Sequence, residues 1–196
     1  MIAYISGRIL FKSPTQLTID VNGLGYEVNI SLHTYGQLGD SEAVRLHTYL
    51  SIREDAQVLY GFADLQEKEM FMLLIGVQGI GPNTARTILS SATPEELQRA
   101  ISQGDEPAIR RIKGLGPKTA QRIIIELRDK VIKIAGQLLA GTSMVSNNNI
   151  REEALMALVT LGFPKPQMEK ILNQLMQDAA QPLSVEELIK KALRSV

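Results

Sequence analysis

Cysteine is absent from the 196 residues. That excludes disulfides, thiolate zinc sites, iron–sulfur clusters and a cysteine nucleophile. Histidine is scarce, with only His33 and His47. Both fall in strand-like sequence without a partner at metal-ligand spacing, so they read as ordinary strand or loop residues. No metal and no cofactor is expected. No apolar run reaches the roughly 18 residues that would span a bilayer. The first residues lack a charged region followed by an apolar stretch and a small-residue cleavage site. A cytoplasmic location without a membrane partner is the expectation.

Net charge is also missing: 21 basic residues balance 21 acidic ones. The distribution is uneven, however. Residues 1–64 carry a net −3, residues 65–140 a net +3, and residues 141–196 none. From Ile109 to Lys133 there are 8 basic residues against 2 acidic ones. A polyanion would be held there.

The hydrophobic period changes twice along the chain. Ile2–Leu10, Gln16–Val21, Tyr26–Ser31, Val44–Ile52 and Gln57–Phe62 are short β-rich runs, several with strict alternation. Asn22-Gly23 between two of them is a hairpin signal. Five short strands predict a small barrel over residues 1–63, with the five-stranded OB-fold as the common solution. Residues 64–135 take a helical period and have room for five helices. Asp64 with Glu67, and Thr93 with Glu96, have the spacing of capping boxes. Residues 136–149 are small and polar and predict a flexible linker. Residues 150–196 predict three helices, Ile150–Val159, Pro166–Gln177 and Ser184–Leu193, the last opened by Ser184 with Glu187. Their apolar stripes, which include Val159 and Leu193, read as core. The fold class is α+β and multidomain.

A repeat at a separation of 35 residues carries the functional signal. Ile75-Gly76-Val77-Gln78-Gly79-Ile80-Gly81-Pro82-Asn83-Thr84-Ala85-Arg86 matches Arg110-Arg111-Ile112-Lys113-Gly114-Leu115-Gly116-Pro117-Lys118-Thr119-Ala120-Gln121. The first glycine of each copy, Gly79 or Gly114, ends a helix in a left-handed conformation. The residue between the glycines, Ile80 or Leu115, points inward. Gly81 or Gly116 allows close approach of another molecule, and the proline opens the next helix. First-turn amides and the positive helix end then face outward, which makes an anion site. A backbone phosphate fits it, and nearby cations add salt-sensitive attraction.

Two other glycine motifs fail. A dinucleotide fingerprint needs a third glycine where Asn83-Thr84 and Lys118-Thr119 stand. A P-loop needs glycine where Pro117 stands. Nucleotide hydrolysis is not expected. The residues alone leave three functions open: a structure-specific DNA-binding scaffold, a repair nuclease or glycosylase with hairpin grips, and an adaptor whose hairpins only pack helices.

The tandem hairpins, Arg53-Glu54-Asp55-Ala56-Gln57-Val58-Leu59-Tyr60-Gly61-Phe62, the opening Met1-Ile2-Ala3-Tyr4-Ile5-Ser6-Gly7, and Val21-Asn22-Gly23-Leu24-Gly25-Tyr26-Glu27-Val28 together resemble the RuvA family. The resemblance covers essentially the whole chain. It implies an OB-fold barrel, a double helix-hairpin-helix domain and a small, UBA-like three-helix domain that binds a motor. It implies a non-enzymatic protein that holds four-way (Holliday) DNA junctions open. The implied partners are the RuvB motor ATPase, the RuvC resolvase and further copies of the chain, as a homotetramer or octamer on DNA. By the same resemblance Gly79, Gly81, Asn83, Thr84, Arg86, Gly114, Gly116, Lys118, Thr119 and Arg122 contact DNA. Glu54 and Asp55 act as an acidic pin, and Leu161, Gly162 and Phe163 touch the motor. Asn83 brings no charge where Lys118 does, so the second hairpin is expected to bind more strongly.

Overall fold

Alternating side chains close the N-terminal segment on itself. The computed structural model describes residues 2–140, 147–177 and 183–195. Strands β1 (Tyr4–Ser13), β2 (Gln16–Val21), β3 (Leu24–Ile30), β4 (Ala43–Ile52) and β5 (Gln57–Phe62) form a closed barrel in the order β1-β2-β3-β5-β4. This is the expected OB-fold arrangement. All ladders are antiparallel except β3 with β5. Leu17, Ile19, Val28, Ile30 and Leu46 fill the barrel. Asn22 and Gly23, at φ 52° and 88°, make the tight turn between β2 and β3. Gly7 lets β1 press on β2, since a Cβ there would sit 2.1 Å from the Asp20 carbonyl oxygen.

A short helix absent from the sequence reading, α1 (Leu32–Gln37), links β3 to β4 and carries His33, which is therefore not in a strand. Ser31 caps it. Five helices follow, as the period required: α2 (Leu65–Ile75), α3 (Pro82–Ser91), α4 (Pro94–Gln103), α5 (Glu106–Arg110) and α6 (Pro117–Ala140). Thr93 and Glu96 form the expected capping box at α4. At α2 only half of the expected box exists. Asp64 caps the Glu67 amide at 2.7 Å, but the Glu67 carboxylate turns away from it. It accepts instead from the Ser31 and Thr34 hydroxyls and is fully buried.

Barrel and helices share a core. Phe71 of α2 stacks among Tyr49, Tyr60 and Phe62 from β4 and β5, with ring centroids 4.8–5.4 Å away. Residues 1–135 accordingly form one compact unit. Residues 136–196 form a second, with helices α7 (Asn147–Thr160), α8 (Lys165–Gln177) and α9 (Val185–Arg194). Ala154, Leu158, Met168, Leu172, Leu188 and Ala192 are its core. Ser184 and Glu187 close the expected capping box at α9. Val159 and Leu193, read from spacing as core, are exposed. The ends of the expected linker are helical, because α6 continues to Ala140 and α7 begins at Asn147. Residues 141–146 of that linker lie outside the described residues.

Candidate nucleic-acid interface

The repeat in sequence is a repeat in hydrogen bonding. In the first copy the amides of Gly76, Val77, Ile80 and Ala85 donate to Leu73, Leu74, Val77 and Gly81. In the second, Arg111, Ile112, Leu115 and Ala120 donate to Ala108, Ile109, Ile112 and Gly116. Each bond recurs 35 residues later. Gly79 and Gly114 take φ of 92° and 90°. They sit inside the turns, four residues past the ends of α2 and α5, rather than at the helix ends the sequence suggested. Val77 and Ile80, like Ile112 and Leu115, plug the underlying core.

Both turns face open space. A Cβ built on Gly79, Gly114 or Gly116 meets nothing within 4 Å. Pro82 and Pro117 open α3 and α6, and Gly81 caps α3 without any side-chain bond. The next two amides, at Asn83 and Thr84 or at Lys118 and Thr119, belong to a first helical turn and have no partner within the helix. Each turn thus presents donors at the positive end of a helix dipole.

The named side chains divide into two groups. Lys118 is exposed, its ammonium has no partner among the described residues, and Thr119 lies half-buried beside it. Arg86 and Arg122, by contrast, are held within the chain. Arg86 donates to Asn29 Oδ1 at 2.8 Å and to the Thr15 carbonyl at 3.1 Å, both on the barrel. Arg122 donates to the Gln78 carbonyl at 3.0 Å and lies 3.8 Å from Glu126. Asn83 is exposed but accepts from the Tyr60 hydroxyl at 3.0 Å. Burial pushes the Tyr60 phenol up, against the pull of Arg86 and Arg53, so it remains a neutral donor.

Glu54 and Asp55 are exposed at the tip of the β4–β5 turn, which the Arg53 amide closes on the Ala56 carbonyl at 2.8 Å. The Arg53 guanidinium reaches 4.0 Å from where a Gly81 Cβ would be. The acidic turn and the first hairpin are therefore neighbours. Sequence reasoning did not single out Arg53, Tyr60 or Gln78, although each adjoins a residue it did.

A separate cluster lies beneath α1. His33, Asp64 and Glu67 bring one donor atom each within 4.8 Å, a proximity that their sequence spacing hides. Gln37 Nε2 lies 2.7 Å from His33 Nε2 and donates to Asp64 Oδ2 at 3.1 Å. Every donor is already engaged by a neighbour, and the cluster is a polar seam between α1 and α2.

In the second unit Leu161 is exposed, Gly162 ends α7 at φ 97°, and Phe163 packs partly into the core. Met156 and Val159 on α7 are also exposed.

Comparison with known proteins agrees with this layout. Residues 1–61 match the RuvA N terminal domain, 71–129 the SAM-like Helix-hairpin-helix tandem, and 149–196 the RuvA C-terminal domain. A protein of Cytophaga hutchinsonii is 51% identical over 99% of both chains. One of Flavobacterium psychrophilum is 49% identical over the full length of both. One of Bacteroides fragilis is 46% identical over 99% of both. Each bears the name Holliday junction branch migration complex subunit RuvA.

Proposed function

The chain belongs to the RuvA family, and from that premise we propose that it is the non-catalytic DNA-binding subunit of a Holliday junction branch migration complex. The repair nuclease or glycosylase alternative is not favoured. The observation that carries the reading is the pair of equivalent, outward-facing glycine turns. Amides of Gly79, Gly81, Asn83 and Thr84 in one turn, and of Gly114, Gly116, Lys118 and Thr119 in the other, take phosphate oxygens of a duplex arm. Such contacts position DNA without reading its bases. The Lys118 ammonium strengthens the second grip. Asn83 adds no charge and its carbonyl oxygen is held by Tyr60, so the first hairpin binds more weakly.

Glu54 and Asp55 project beside the first hairpin and act as a pin. Two adjacent carboxylates repel the phosphate rails of separating strands and keep them apart. The chain assembles as a homotetramer, doubled to an octamer on DNA. Exposed apolar pairs at a two-turn spacing support self-association: Leu65 and Met72 on α2, and Ile125 and Ile132 on α6. Glu69 stands between the first pair and Arg128 between the second. A contact between these unlike faces is heterologous, the type that builds a ring when its rotation closes.

The described domains divide the work. Residues 1–63 carry the pin and share in oligomerisation with the exposed faces of α2 and α6, 64–135 grip DNA, and 150–196 recruit the RuvB ATPase through Leu161, Gly162 and Phe163. The RuvC resolvase acts on the same junction, and the complex works in the cytoplasm. None of the described helices is long and apolar enough to cross a membrane.

The test is a gel-shift comparison of a four-way junction with linear duplex of equal length, in excess competitor DNA. The junction is expected to be retained when the duplex is not. Equal retention would refute junction recognition.

A further inference from the structure

The two hairpins are related by a 35-residue repeat, but one bond between them has no counterpart. Arg122, on the first turns of α6 behind the second hairpin, donates from Nη1 to the Gln78 carbonyl of the first hairpin at 3.0 Å. Its Nε faces Glu126 one turn on at 3.8 Å, which limits the rotamers of the guanidinium. The residue equivalent to Arg122 in the first copy is Thr87. Its hydroxyl bonds within its own helix, to the Asn83 carbonyl at 3.0 Å. The clasp therefore runs one way only.

Its target is well chosen. Gln78 immediately precedes Gly79, whose φ of 92° sets the direction of the turn amides. No other hydrogen bond among the described residues uses the Gln78 carbonyl, since the Ile80 amide goes to Val77 instead. An arginine on this basic face would ordinarily be taken as a phosphate ligand. Here one of its donors, Nη1, is engaged by a backbone carbonyl of the neighbouring hairpin, and Nε faces Glu126.

We propose that Arg122 is a positioning residue that clamps the first hairpin to the second and so fixes the spacing of the two phosphate-binding turns. The proposal rests on the DNA-binding reading for its consequence, but not for its geometry. Two grips on one duplex arm add their binding energies only if their separation matches that of the phosphates. A hairpin free to swing must be ordered on binding, which weakens the complex without removing a charge from the phosphate contacts.

The chain lacks cysteine, so Ser91→Cys on α3 and Gln121→Cys on α6 place two spin labels on exposed sites without other changes. Distances are measured by pulsed electron resonance in the DNA-free full chain, diluted with unlabelled chain. Wild type should give a narrow distribution, Arg122→Met a broad one, and Arg122→Lys, which keeps the donor, a narrow one. In junction titrations over a range of KCl, Arg122→Met should lower affinity about tenfold, the effect of one lost charge-assisted bond. The plot of log K against log salt should keep its slope. Lys118→Ala serves as the control and should flatten that slope by about one per subunit in contact. The clamp is overturned if Arg122→Met leaves the distance distribution narrow, or if it flattens the slope as Lys118→Ala does. Failure of wild type to bind junctions would sink the DNA-binding reading while leaving the distance result intact.

Discussion

Glu67 offers a measurable test of how the barrel is joined to the helices. Its carboxylate is fully buried and accepts from the hydroxyls of Ser31 and Thr34, which belong to the segment entering α1. Those hydroxyls are themselves acceptors, from the Thr34 and Ala63 amides. Glu67→Leu leaves two buried hydroxyl protons without an acceptor, at about 1–3 kcal/mol each. Burying a leucine side chain returns about 2 kcal/mol. The net loss is then about 2 kcal/mol, or a fall of roughly 6 °C in the melting temperature of the larger unit. Glu67→Gln keeps one acceptor and the volume, and should melt within about 3 °C of wild type near neutral pH.

The two variants also separate charge from shape. Burial raises the Glu67 carboxyl above the ordinary carboxylate range, while the Ser31 and Thr34 bonds and His33 pull it down and Asp64 pushes it up. The folded chain therefore keeps this proton at pH values where the unfolded chain has lost it. Stability from Glu67 is fully present below the ordinary carboxylate value and is lost as pH rises through the raised one. Wild type should gain stability relative to Glu67→Gln as pH is lowered from neutral toward about 4.5. Thermal melts of wild type, Glu67→Gln and Glu67→Leu across that range make the measurement. A Glu67→Leu melt matching wild type, or a gap between wild type and Glu67→Gln that ignores pH, would refute the argument.

Three further outcomes are expected. Lys118→Ala should weaken junction binding several-fold in fluorescence anisotropy, with the loss shrinking as salt is raised. Gly114→Ala meets no atom within 4 Å, so its cost is the left-handed backbone alone, about 1–2 kcal/mol. Its melt should fall by only a few degrees while junction affinity drops, because the turn amides re-aim. The double change Glu54→Gln with Asp55→Asn removes two exposed negative charges beside the first hairpin. It should tighten binding to linear duplex and narrow the preference for junctions in the same competition gel-shift.

Local chemistry was legible and long-range chemistry was not. Asn22-Gly23 declared its turn because two positive φ values are needed and those residues supply them. The boxes at Thr93 and Ser184 were readable because both partners lie within one helical turn. The same pattern at Asp64 misled by half. Glu67 had the right spacing, yet Ser31 and Thr34, distant in sequence, offered its carboxylate two buried donors, and tertiary bonding overrode the local option. Helix α1 escaped because six residues, including Gly36, are too few to show a period. Small, polar composition over 136–149 reads as linker, yet the first of these residues, 136–140, continue α6. A single glycine such as Gly136 costs a helix only about 1 kcal/mol, and α6 runs through it. At the interface the repeat revealed both glycine turns. Residue type alone could not separate Lys118, free at the surface, from Arg86 and Arg122, which face carbonyls of other elements.

That separation bears on how a chain of zero net charge selects one DNA shape. A strongly basic surface would hold any duplex by counterion release, and linear DNA would then compete well. Here the barrel half is acidic, and positive charge is concentrated between Ile109 and Lys133. Part of that charge is turned to internal bonds, as with Arg122. On the proposed reading, long-range attraction is thus kept modest, and binding depends on amides that work only when phosphates arrive at both turns together. Amides are blind to base identity but strict about distance. Selectivity must then come from the fixed placement of two grips and an acidic turn, which a linear duplex running across that turn would have to meet. A variant that gains surface lysines near the first hairpin should therefore bind all DNA more tightly and discriminate junctions less.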